Sequence, residues 1–117
     1  MRRSKYGNKK VTAFGMKFDS KGEYARYLFL KDAEKQGNII NLQCQVAFKI
    51  DVNGQHICKY IADFTYLVNN VMIVEDFKGI ETAIFRLKKK LMLAVLNIDV
   101  KVIKIHTEEL KIKYLIY

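Results

Sequence analysis

The residues of this sequence best suited to chemistry are Asp63, Asp76 and Lys78. Asp63 interrupts the apolar run Tyr60-Ile61-Ala62-Asp63-Phe64-Thr65-Tyr66, and Asp76 and Lys78 close the run Val71-Met72-Ile73-Val74-Glu75-Asp76-Phe77-Lys78. A carboxylate inside such a strand is costly unless it is paired or bound to a metal. Alternate strand residues face one side, so Asp76 and Lys78 share a face about 6.6 Å apart along the chain. Glu75 and Phe77 point the other way. The twelve residues between Asp63 and Asp76, 64 to 75, suit adjacent strands joined by a tight turn. Two carboxylates and a lysine in that arrangement suit Mg²⁺ (or Mn²⁺), which takes one or two carboxylates and completes its shell with water and phosphate oxygens. Such an ion lowers the pKa of its bound water, and a lysine beside it orients that water or stabilises developing negative charge. The plainer alternative is an exposed Asp76–Lys78 pair at a strand end, contributing little to stability.

The elements that must position these groups are legible on either side of them. Tyr24, Tyr27, Leu28, Lys31 and Lys35 recur near the helical period after Ser20, with Gly37 as a stop, which predicts a helix. Ile39 to Ile50 reads as an extended strand. Asn53-Gly54 is a strong hairpin signal, leading into a second strand from about Ile57 to Val68. Asn69-Asn70 then turns the chain into a third strand, Val71 to Phe77. After Gly79, Ile84, Leu87, Leu91 and Ala94 mark one face of a second helix ending near Asn97. Val100, Val102, Ile103 and Ile105 form a fourth strand before a short tail. Helix, three antiparallel strands, helix and strand predict a mixed α/β sheet with helices packed on it.

The 117 residues suit one domain, opening with a basic arm over residues 1–19 and a small hairpin around Val11 to Phe18. Twenty-one Lys and Arg against twelve Asp and Glu give a net charge of +9 and a pI near 9.6. That surplus favours a polyanionic partner through attraction to phosphates and counterion release. Cys44 and Cys58 form no CxxC pair and have no partners at zinc-ligand spacing, so they read as reduced, half-buried thiols of an intracellular protein. No apolar run has the length of a membrane span, and the N-terminus has charge without an apolar signal core; a cytoplasmic protein with no membrane partner is expected.

The spacing of Asp63 and Asp76-Phe77-Lys78 resembles the motif of the PD-(D/E)XK nuclease superfamily, whose core is αβββαβ. The segments SKYGNKK, FDSKGEYARYLFL, KYIADF and VEDFKG resemble more closely a family of small phage and prophage proteins assigned to that superfamily, and this likeness covers nearly the whole chain. Two departures stand out: Ala62 replaces the motif's proline, and the second acid is Asp76 where glutamate is usual. The superfamily tolerates both. The resemblance implies a metal-dependent DNA endonuclease in which Asp63 and Asp76 hold Mg²⁺ or Mn²⁺ and Lys78 assists the water and transition state. Relatives that resolve Holliday junctions act as two-fold dimers, so a homodimer acting on branched DNA in the host cytoplasm is a further implication.

The resemblance also draws in residues with good structural explanations. The superfamily carries an acid on its first helix, and Glu23 matches it; equally, Ser20-Lys21-Gly22-Glu23 is a capping box. Gln45 matches a glutamine placed near the site in related families. A two-residue turn at Asn53-Gly54 instead sets Gln45 opposite Ala62 and Cys44 opposite Asp63, unless a bulge intervenes. Arg86, Lys88, Lys89 and Lys90 follow the motif on a helix and suit phosphate contact, as do Lys9 and Lys10 on the arm; a solvated helix face is the simpler account. His56 and His106 lack ligand spacing. Tyr114, Leu115, Ile116 and Tyr117 offer a dimer patch or core completion. Two rival functions remain: a catalytically inactive DNA-binding module of a phage replication or recombination complex, and an interaction protein whose charge serves solubility.

Overall fold

The computed structural model describes residues 10–104. Its elements run β1 (Val11–Ala13), β2 (Met16–Phe18), α1 (Lys21–Lys35), β3 (Ile40–Val52), β4 (Gln55–Val68), β5 (Val71–Phe77), α2 (Ala83–Leu96) and β6 (Lys101–Ile103). β3, β4, β5 and β6 form a mixed sheet in that order, with β5 and β6 parallel and the other neighbours antiparallel. The expected mixed α/β architecture is therefore present. Lys9, Ile105, His106 and the apolar group Tyr114 to Tyr117 lie outside the described residues.

Local chemistry places the ends of these elements. Ser20 Oγ accepts the Glu23 amide at 3.1 Å and starts α1. Gly37 sits at positive φ, with its own amide bonded to Glu34 O and that of Asn38 to Ala33 O, the Schellman pattern that ends a helix. Asn53 and Gly54 both have positive φ, as do Asn69 and Asn70. Their twist matches that of the strands they join. Because Val68 pairs with Val71 and Phe64 with Glu75, continuing the register sets Asp63 directly opposite Asp76.

Packing decided which helix faces are buried. Of the stripe expected on α1, Tyr27 is buried but Lys31 and Lys35 are exposed, and Glu23 and Leu30 turn inward in their place. On α2 the face expected inward is mostly outward: Ile84 and Leu87 are 62% and 54% exposed, while Phe85 and Met92 are buried. α2 is apolar on several sides, so periodicity could not choose among them; the large Phe85 ring packs against Tyr60, 6.3 Å between centroids. Val11 to Phe18 is not a free arm, since Phe18 is buried against Tyr24 and Tyr27.

Two apolar clusters result. Ile50, Tyr60, Ala62, Val74, Phe85, Met92 and Val100 form one with α2; Phe18, Tyr27, Leu30, Ile39, Phe64 and Tyr66 form the other with α1. Strict alternation would put Tyr60, Ala62, Phe64 and Tyr66 on one face. The β3–β4 hairpin therefore turns about its own axis between Ala62 and Phe64, and this is the position of Asp63.

Candidate active site

The register at Asp63 is set by a bulge farther along the hairpin. Ile50 pairs with Cys58 but Asp51 pairs with His56, leaving Ile57 as an extra residue on β4. That bulge shifts the register by one, so Val46 faces Ala62 and Cys44 faces Phe64. Gln45 therefore lies opposite Asp63, correcting the register expected from the turn. The ladder skips this row, and Gln45 itself has φ of 55°.

Where the β4–β5 ladder stops, carboxylates take over from carbonyls. Asp76 Oδ1 accepts the Asp63 amide at 3.0 Å, and Asp63 Oδ2 accepts the Phe77 amide at 2.8 Å. The Tyr60 hydroxyl donates to Asp76 Oδ2. Asp76 is 1% exposed. Lys78 Nζ lies 4.0 Å from Asp76 Oδ2 and 4.5 Å from the Phe85 ring centroid, so it shares the α2-side face with Asp76 as alternation requires. Glu75 and Phe77 face α1.

Glu23 comes from α1 and divides its two oxygens. Oε1 accepts the Asp19 amide at 2.9 Å, one residue earlier than a regular capping box. Oε2 is buried without a hydrogen-bond partner. Glu23, Asp63, Lys78 and Phe77 line one cavity of about 340 Å³. Burial, the neighbouring Asp76 charge and a hydrogen bond to Asp76 push the Asp63 carboxyl up to about 9. Burial also raises Glu23, with Asp19 and Asp76 adding repulsion. Desolvation and the bond to Asp76 hold the Tyr60 hydroxyl in its neutral form. Three acids crowd together here with one lysine to balance them.

Two features of the site were not anticipated from sequence. Tyr60 is one, and the brace behind Asp76 is the other. Arg26 grips the fully buried Glu75 through Nε at 2.6 Å and Nη2 at 3.0 Å, and Tyr66 donates to the same carboxylate at 2.5 Å. Arg26 stands three residues after Glu23, so this brace joins the two elements that carry Glu23 and Asp76. Gly22 adds to it: a Cβ there would come within 2.2 Å of the Phe77 ring, so any side chain at this position would have to displace that ring. A buried glutamate in an apolar strand was the available signal, since such a charge requires a partner.

The basic residues are less concentrated. Lys88 Nζ donates to Lys59 O at 2.9 Å, Lys89 pairs with Asp99 at 3.3 Å, and Arg86 donates to Glu81 O at 2.8 Å. Lys90 and Lys10 are exposed. His56 pairs with Asp51 on the surface, and both cysteines are free and half-buried. Among the described residues, no helix is long and apolar enough to cross a membrane.

Among the described residues, no group of three or more His, Cys, Asp and Glu side chains is arranged to close around an ion. The orphaned Glu23 Oε2 beside Asp63 and Asp76 nevertheless fits a hard cation that keeps part of its water shell. No curated protein and no solved structure matches the chain. A protein-family model described as "Protein of unknown function (DUF1064)" matches residues 3–115, so the chain belongs to that family.

Proposed function

We propose that this protein is a metal-dependent DNA endonuclease of the PD-(D/E)XK kind, hydrolysing phosphodiester bonds with Mg²⁺ or Mn²⁺. The observation that carries the reading is the convergence of Glu23, Asp63 and Lys78 on one cavity, with Asp76 bonded to the Asp63 amide and 4.0 Å from Lys78 Nζ, and with Asp63 pushed up to about 9. Groups so crowded are stabilised by a cation. Asp63 and Asp76 would hold it, each oxygen keeping a lone pair beyond its hydrogen bond, with Glu23 Oε2 accepting from its bound water. When bound, the ion supplies an activated water and offsets charge on the phosphate.

The chain's own residues set the geometry. The Phe77 amide fixes Asp63, while the Asp63 amide and the Tyr60 hydroxyl fix Asp76. Lys78, resting on the Phe85 face, orients the attacking water and meets negative charge developing on the phosphorus oxygens. Exposed Lys10 and Lys90, together with Lys9, Arg86, Lys88 and Lys89, supply phosphate contacts, in keeping with the +9 charge. One site cuts one strand, so paired cuts in branched DNA, such as a Holliday junction, call for a two-fold homodimer. A phage-encoded enzyme of this kind acts in the host cytoplasm.

The test is incubation of purified protein with linear, nicked, flapped and four-way DNA, with and without Mg²⁺. The expected result is cleavage that requires the ion and falls at least about 100-fold in Asp76→Ala. Cleavage at the wild-type rate in Asp76→Ala sinks the reading. Salt-dependent binding with no cutting under any condition favours the inactive DNA-binding module instead.

A further inference from the structure

A second cavity, of about 390 Å³, adjoins the carboxylates and shares Asp19 with theirs. Its floor is apolar: Met16 and Phe18 from β2, Phe64 from β4 and Cys44 from β3. Burial pushes the Cys44 thiol up to about 11, so that wall stays uncharged. Lys17 and Gln45, both exposed, supply its cation and its amide. An apolar slot with a donor and an acceptor at its edge matches a flat heterocycle, whose faces are apolar and whose rim is polar.

Gln45 is also held in an unusual conformation. A φ of 55° is uncommon for a glutamine, and strained backbone persists where the surrounding structure enforces it, often at a ligand. The bulge at Ile57 sets this residue opposite Asp63, in the row that the ladder skips. The amide thus stands in the same sheet row as the Asp63 carboxylate. A base and its own phosphate belong to one nucleotide, and these two cavities meet at Asp19.

We propose that this second cavity receives an unpaired nucleobase of the strand being cut, with Gln45 reading its edge, Met16 contacting its face and Lys17 contacting a flanking phosphate. The proposal rests on the nuclease reading and narrows its substrate to DNA with an unpaired nucleotide beside the scissile bond, as in a flap, a branch or a single strand. A paired base must first leave the stack to reach the cavity, which disfavours intact duplex.

The test uses the full chain and oligonucleotides carrying a single-stranded flap, without divalent ion so that nothing is cut. One flap carries 2-aminopurine at its first unpaired position, and the other carries an abasic residue there. The expected result is a change in 2-aminopurine fluorescence and about tenfold tighter binding of the base-bearing flap. Gln45→Gly, which removes the amide and accepts the positive φ, and Met16→Trp, which fills the cavity, should each bring that ratio close to one. Phosphate-driven affinity for the abasic flap should persist in both variants. Equal affinity for both flaps, an unchanged ratio in both variants, or no DNA binding at all overturns the proposal. Because the assay needs no cleavage, a protein that holds the base but never cuts refutes only the nuclease reading. One that cuts while ignoring the base refutes only the cavity.

Discussion

At Asp63, stability and chemistry pull in opposite directions. Its carboxyl lies at about 9 in the folded chain, against an ordinary value of 3.8. A raised folded value means the folded state binds more protons, so this contribution is fully present below the ordinary value and is lost as pH rises through about 9. The melting temperature of metal-free protein is therefore expected to fall between pH 5 and pH 9. Asp63→Asn should flatten that fall, raise the metal-free melting temperature at pH 8 by about 4 °C, and abolish cleavage. A wild-type melting temperature that climbs over the same range contradicts this account. Glu23 poses a related choice, since one oxygen caps α1 and the other has no partner. Glu23→Gln retains an acceptor for the Asp19 amide but removes the charge. Activity should fall about tenfold or more with little change in melting temperature; unchanged activity would leave Glu23 a cap.

At the level of elements, the site depends on how α1 is held against β5. Arg26, Glu75 and Tyr66 form that brace on the face opposite Asp76, and the Phe77 ring lies over Gly22. Removing one partner of a buried pair leaves the other charge stranded, which typically costs about 3–5 kcal/mol. Arg26→Met should destabilise the protein by that order in denaturant unfolding. Replacing both partners, Arg26→Met with Glu75→Leu, should recover most of the loss. A double variant as unstable as the single one would show that Arg26 contributes by packing and not by charge.

Over the whole molecule, the +9 charge predicts how DNA binding responds to salt. Each phosphate neutralised on duplex DNA adds about 0.9 to the slope of log affinity against log salt. Lys90 is exposed, whereas Lys88 is bonded to a β4 carbonyl and Lys89 to Asp99. Lys90→Ala should lower the slope by about 0.9, and replacing Lys88, Lys89 and Lys90 together should lower it further, for all sequences about equally. A slope unmoved by the triple replacement would place the binding surface on the β1–β2 side, near Lys10 and Lys17.

What the sequence determined by itself is local. Asn69-Asn70 accepts positive φ at both positions, so Val68 must meet Val71, and Asp63 and Asp76 then fall opposite each other by counting. Ser20 and Gly37 bound α1 through bonds within a few residues. The central acids and Lys78 were readable because their placement depends on nearest neighbours and a two-residue period. Tertiary structure decided the rest. The bulge at Ile57 moved Gln45 opposite Asp63, and nothing within the turn predicts an extra residue three positions away. Phe85 rather than Ile84 or Leu87 entered the core, because a helix apolar on several sides is oriented by what it packs against. Tyr60 and Asp76, sixteen residues apart, and Arg26 and Glu75, forty-nine apart, meet only once sheet and helices are assembled. Such partners are selected by the cost of leaving a buried charge unmatched, and no spacing in the chain encodes that choice.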